Sequence, residues 1–433
     1  MIGGADVLEL LRKFDRQGLI WFLTIFGYPF FVFVALVLSL QTHHTTYLFR
    51  IIVIVLCISE VKSFGIFSIL NSIPISVRIF ALAYLCRLTY DAIFISFSPI
   101  FFNSIYLIAV VILPVLAICR FKIISKLEDW SEIFAFSGGL LCLILLIIFL
   151  LGIADLQSTT LRMGRLSYVS LNPISIGSLG AITMLAAFLM YLKQTERNRI
   201  VIIAIGFLGY IVVALSVSRG PALSMGIVFF VLNYISFGLR KVHIGVLLFA
   251  LMCFTPFFSS QMVGNNLPDQ FHGTLRYSQQ LNTPIPDNPV QEVDIKQRLH
   301  DFILDESGSE RITLIREALN QFMLSPVFGY RSFLISSANY PHNIFIETLL
   351  ALGIIGLILL LWILYHGIMA ANIAIKNKIF LVPSLFYFSF FLSQFSGAIW
   401  NSSIFWVTLI CLMSRPSHLL DSKAIKSSTI KSV

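Results

Sequence analysis

Apolar stretches of helical length, separated by short polar or basic turns, recur along nearly the whole chain. A helix needs about 20 such residues to cross the roughly 30 Å hydrocarbon layer of a bilayer. On that spacing about twelve spans are expected, at 19–40, 47–59, 75–96, 99–118, 133–153, 173–192, 200–217, 221–239, 242–260, 343–371, 379–393 and 396–413. The expected fold is all-α: a polytopic membrane protein with one large external loop containing amphipathic helices. The organisation that follows is an N-terminal transmembrane bundle over 1–258, the large loop over 259–341, C-terminal transmembrane helices over 342–414 and a tail over 415–433.

Composition supports this pattern. Hydrophobic residues make up 58% of the 433 positions and charged residues only 12%, and the mean hydropathy is +0.90, whereas soluble domains carry roughly 25% charge. The bilayer takes the place of a conventional core. Lys and Arg set the orientation: Arg12, Lys13 and Arg16, then Arg120, Lys122 and Lys126, Lys193, Arg197 and Arg199, Arg240 and Lys241, Lys376 and Lys378, and the basic tail all fall on one side. By the positive-inside rule that side is the cytoplasm, with both termini there. The first apolar run is too long for a cleaved signal peptide and reads as a retained anchor. The six cysteines lie in or at the ends of apolar segments and write no disulfide framework or metal motif. The net charge of +9 reflects the inside-facing loops, without the basic and aromatic interleaving of a nucleic-acid surface.

Two external loops are substantial, about 154–172 and about 259–341, and the second far exceeds what joining two spans requires. Its first half is rich in Asn and Pro. In its second half a 3.6-residue period gathers Ile312, Ile315, Ala318, Leu319, Phe322 and Met323 on one face of a helix over 310–323, opposite Thr313, Glu317, Asn320 and Gln321. Arg311 projects within that apolar face and Arg316 flanks it. For Arg311 two roles are open: a side chain reaching lipid headgroups or pairing with Glu347, or a cation gripping a diphosphate, because a charge there is costly unless paired.

Tyr340-Pro341-His342-Asn343 stands where the loop re-enters the membrane, with Pro341 suited to a helix's first turn. The helix dipole disfavours a charged imidazole there, leaving His342 able to take a proton from an attacking hydroxyl, or simply to cap the helix. Glu347 follows inside the apolar run, placed to orient His342 or to pair with an arginine. Arg219 breaks one apolar run from the next on the external side, where a turn alone does not require an arginine. Arg162 and Arg165 lie in the shorter external loop, either completing a basic funnel or simply solvated. Arg87 and Asp91, four apart, read as a buried structural pair. No Asp-x-Asp motif or histidine cluster marks a metal site, and no cofactor motif is present.

With Arg162 to Pro173, Ser218-Arg219-Gly220, Gly308-Ser309-Glu310-Arg311, Ser325-Pro326-Val327-Phe328-Gly329-Tyr330, Tyr340-Pro341-His342-Asn343, Glu347 and Gly353-Ile354-Ile355-Gly356 in this order, residues 160–360 resemble the bacterial O-antigen polymerase and O-antigen ligase superfamily. The resemblance implies a glycosyltransferase of the inner membrane with its active site facing the periplasm. Its donor is an undecaprenyl-diphosphate-linked oligosaccharide, no metal is required, and membrane lipid, a chain-length regulator and a flippase are the expected partners. By motif position it assigns catalysis to His342, Arg311 and Arg219, with Arg162, Arg165, Arg316, Tyr340, Asn343 and Glu347 as substrate-binding candidates. The Tyr-Pro-His-Asn form and the Phe- and Ile-rich composition lean toward polymerase, with ligase as the alternative. A transporter or flippase, the reading from another class, would place unusual charges at the bilayer midplane in repeated halves, whereas here they gather at one surface and no internal repeat is visible.

Overall fold

The computed structural model describes residues 16–38, 42–95, 104–118, 124–150, 172–193, 199–216, 218–237, 306–334 and 340–414. The expected span 242–260, Arg162 and Arg165, the Asn- and Pro-rich half of the large loop and the tail from 415 lie outside the described residues. Within them the chain is helical and contains no strand. The helices are α1 (Arg16–Phe22), α2 (Tyr28–Val37), α3 (Thr42–Phe64), α4 (Ile66–Ser72), α5 (Ile75–Phe94), α6 (Leu113–Ile118), α7 (Ile124–Leu150), α8 (Pro173–Lys193), α9 (Arg199–Ser216), α10 (Arg219–Phe237), α11 (Glu306–Phe322), α12 (Ile344–Lys376), α13 (Leu381–Ser396) and α14 (Ser403–Met413). Two π-helical turns, Leu23–Gly27 and Leu107–Ile112, run directly into α2 and α6.

Five of the described helical stretches are long and apolar enough to cross a membrane: Arg16–Ala35, Trp130–Leu150, Pro173–Leu192, Arg199–Ser216 and Ile344–Lys376. Their packing is dominated by aromatic and aliphatic side chains such as Trp21, Phe26, Phe134, Phe386 and Phe405, all buried. Between α8 and α9 small residues let the backbones meet: a Cβ on Gly180 would lie 2.6 Å from the Gly209 carbonyl oxygen. Close approach of this kind is how membrane helices gain van der Waals contact without a hydrophobic drive.

The expected span 343–371 is not one regular helix. α12 has 33 residues, about 50 Å at 1.5 Å per residue and well beyond a hydrocarbon layer, and it is broken at Gly353, whose φ is 66° and ψ −159°. The break frees backbone groups that hydrocarbon cannot solvate. The turn after α11 supplies their partners. Ile354 and Ile355 N–H donate to the Pro326 and Val327 carbonyls at 2.9 and 3.4 Å, and Tyr330 and Arg331 N–H donate to the Leu350 carbonyl at 2.7 and 3.2 Å. Gly329, with φ 79°, lies against the Ala351 carbonyl as Gly353 lies against that of Val327, and a Cβ on either would collide. Ser325-Pro326-Val327-Phe328-Gly329-Tyr330 is therefore a plug completing the hydrogen-bond ladder of a split span.

α11 begins at Glu306 and docks by a face rotated from the expected one, the two sharing Ala318. Ala318, with Leu314 beside it, packs against Leu334, Ile346 and Leu350, and Gln321 is buried on the same side, its amide donating to Glu317 at 2.8 Å. Ile312, Leu319 and Met323 of the expected apolar face are exposed, as are Leu324 and Phe328 just beyond. The physical reason is that contact with α12 selects small and medium side chains, so the bulkier stripe turns outward, as suits a helix at a lipid interface.

α5 ties this assembly to the bundle through buried polar groups. Arg87 Nε lies 3.0 Å from Asp91 Oδ1, so the expected pair forms, and Asp91 Oδ2 accepts the Ser332 N–H at 2.6 Å. Arg87 also donates to the Gly329 carbonyl at 3.4 Å. The last expected span, 396–413, is helical only from Ser403, and residues 397–402 are irregular. Such backbone is tolerated at membrane depth where it is buried in protein or lines a cavity, and Gly397, Asn401 and Ser402 line one.

Candidate functional site

His342 sits just outside the first turn of α12. Asn343 is the N-cap, its side-chain oxygen accepting from Phe345 and Ile346 N–H at 3.0 and 3.2 Å, while its amide donates to the Gln394 carbonyl of α13 at 3.2 Å. Pro341 thus precedes the helix instead of opening it, and Asn343 is occupied on both sides in fixing where His342 stands. His342 has φ 56°, a left-handed conformation that a residue with a Cβ adopts at a cost, and such strain gathers at functional sites. Its Nδ1 is buried and has no hydrogen-bond partner among the described residues. Burial, and then the Arg311 charge, hold the imidazole pKa below its ordinary value.

Arg311 acts electrostatically on both His342 and Tyr340, so α11 brings its cation within electrostatic reach of both. Tyr340 packs against His342 with ring centroids 4.3 Å apart and meets the edge of Trp400 at 5.4 Å. Burial raises the Tyr340 pKa, against the opposing hydrogen bond to Asn401, keeping the phenol protonated. Arg219 opens α10 at the same end of the bundle. Its neighbour Gly220 faces Phe395 and Leu392 of α13, which flank the Gln394 carbonyl that holds Asn343. Arg316 lies exposed on α11.

Glu347 has other partners. It is 0% exposed, accepts from Tyr84 Oη and from Ile399 N–H, both at 2.9 Å, and so joins α5, α12 and the irregular stretch before α14. Among the described residues it makes no hydrogen bond to His342 and no ion pair with an arginine. Its work is to hold the helix that carries His342.

Arg50, absent from the expected site, lies inside α3. Its guanidinium stacks 4.4 Å over the Tyr106 ring and donates to the Tyr106 hydroxyl at 3.2 Å. Both residues line a cavity of about 450 Å³ that is also bounded by Asn172, Tyr340 and Asn401. A single arginine in an otherwise apolar run was the available signal.

Residues 203–361, somewhat over a third of the chain, match the model of the O-antigen ligase family. The match supports the O-antigen ligase and polymerase superfamily, and with it an enzyme of glycosyltransferase type acting at a membrane on lipid-linked glycans. It includes Arg219, Arg311, Tyr340 and His342 and excludes Arg50, Tyr106, Asn172 and Asn401. No curated protein and no solved structure matches the chain.

Proposed function

We propose that the chain is an O-antigen polymerase of the bacterial inner membrane, joining undecaprenyl-diphosphate-linked repeat units on the periplasmic face without a metal. His342 is the general base and Arg311 and Arg219 hold the departing diphosphate. The observation that carries this reading is the strained, half-buried His342, whose buried Nδ1 has no hydrogen-bond partner among the described residues and whose ring feels the Arg311 charge.

In the proposed reaction a hydroxyl of the acceptor sugar gives its proton to neutral His342 while its oxygen attacks the anomeric carbon of the donor. The bond from that carbon to the diphosphate oxygen breaks, and the electron pair leaves with the diphosphate, whose charge the two guanidinium groups meet. Charge-assisted contacts of this kind contribute about 1.5–3 kcal/mol each. The proton on His342 is then lost to water. Attack opposite the leaving group inverts the anomeric carbon, and an NMR assignment showing retention in the new linkage would exclude this course. Tyr340 and Arg316 are assigned to the substrate path, with Arg162 and Arg165 as further basic contacts. Asn343 and Glu347 are positioning residues.

Deleting the gene and separating lipopolysaccharide on a gel tests the polymerase assignment. A core bearing one repeat is the expected product. Bare core would make the enzyme a ligase, and an unchanged ladder would remove both.

A further inference from the structure

The Arg50 cavity lies against Tyr340 but is built almost wholly from residues outside the family match. Arg50 is partly buried within an apolar helix, where a cation is costly unless paired. Among the described residues no carboxylate pairs with it. One of its five N–H donors is taken by the Tyr106 hydroxyl, and the Tyr106 ring fixes the guanidinium plane. An oriented, unspent fork of this kind matches a carboxylate in two-point contact.

The surroundings match a sugar. Tyr106, Tyr340 and Trp400 form an edge-to-face aromatic group, with Trp400 5.3 Å from Tyr106 and 5.4 Å from Tyr340. Asn172, Ser175 and Asn401 add amides and a hydroxyl to the wall. The volume of about 450 Å³ falls in the range of small-molecule pockets, roughly 300–1,000 Å³. Both π-helical turns contribute wall residues, Thr24 from one and Ala109 from the other, and π turns inside helices frequently occur at functional sites.

We propose that this cavity binds an acidic sugar of the glycan, a hexuronate or similarly carboxylated residue, with its carboxylate on Arg50 and its ring against Tyr106 and Tyr340. Charge count favours this over the lipid diphosphate: one cation matches one carboxylate, whereas a diphosphate calls for the Arg311 and Arg219 pair. The inference rests on the glycosyl-transfer reading for the source of the sugar. It adds a substrate class, glycans bearing a carboxylate.

Saturation-transfer NMR on the full chain in detergent, with D-glucuronate, D-glucose and inorganic pyrophosphate as probes, tests it. Glucuronate should bind about tenfold more tightly than glucose, the order expected of one charge-assisted contact. Arg50→Gln should abolish that preference, Arg50→Lys should keep part of it, and pyrophosphate binding should be unchanged in both. Equal binding of the two sugars, or a preference untouched in Arg50→Gln, would overturn the proposal, as would loss of pyrophosphate in place of glucuronate. Should Arg50→Gln fail to fold, the competition between the sugars on the unaltered chain decides alone. Binding is read without donor lipid. A glucuronate preference alongside undiminished transfer by His342→Ala therefore retains the cavity and removes the catalytic reading, and equal sugar binding with a silent His342→Ala variant does the reverse.

Discussion

Tyr340 separates two unlike regions. On one side stand His342 in a strained conformation just before α12, Arg311 on a helix docked on α12, and Arg219 at the start of α10. On the other side is a pocket made by the bundle, with Arg50 laid on Tyr106 and two π turns in the wall. In the first region burial and the Arg311 charge oppose protonation of the imidazole, an arrangement suited to bond breaking. The second carries one immobilised cation among amides, hydroxyls and rings, an arrangement suited to recognition. Reactivity and selectivity are thereby assigned to different elements and can be altered separately.

The largest expected effect tests the reactive side. His342→Ala should lower glycan transfer by about 10²–10⁴-fold, the usual contribution of a general base, while Arg50→Gln leaves transfer of neutral glycans near its original rate. Equal losses in both variants, measured as polymer formed by membranes supplied with lipid-linked donor, would erase the distinction. Next is the scaffold under the reactive side. Gly353→Ala places a Cβ against the Val327 carbonyl at a positive φ and should cost about 2–5 kcal/mol, seen as a lower melting temperature of the solubilised protein.

A smaller effect is a displacement of the pH profile. Burial and the Arg311 charge both depress the His342 pKa, so the neutral ring survives to lower pH than an ordinary histidine would allow. Arg311→Gln removes one of the two causes, the pKa rises, and the acid limb of the rate profile moves to higher pH. A limb that stays put, or moves down, would detach Arg311 from the imidazole. The smallest is Asn343→Ala, which removes a cap worth about 1 kcal/mol. The rate should fall modestly, with sugar preference in the Arg50 pocket unaltered.

Much of the reactive side is legible in the sequence because its residues stand against their surroundings: arginines on the side where the charge rule disfavours them, and Pro-His-Asn at the lip of an apolar run. The helical nature of the described spans follows equally from apolar run length. Three features do not. The working face of α11 is set by what α12 accepts, so the more hydrophobic stripe carrying Ile312 and Met323 is not the one that docks. The break at Gly353 is invisible to hydropathy because Gly-Ile-Ile-Gly remains apolar through it, and only the reciprocal glycine at 329 hints at the plug. Arg50 and Tyr106 lie far apart in sequence, and no periodicity on either helix announces that they meet.

The plug in α12 also bears on biogenesis. The chain that satisfies Ile354 and Ile355 is translated before them, so when the split span emerges into the membrane its missing carbonyls are already waiting nearby. The contact closes over a short sequence interval, a kind of contact associated with fast folding. A circular permutation or split-protein version that delivers residues 326–331 late would leave the span to enter lipid with its backbone open, and should be inserted poorly even though every residue is still present.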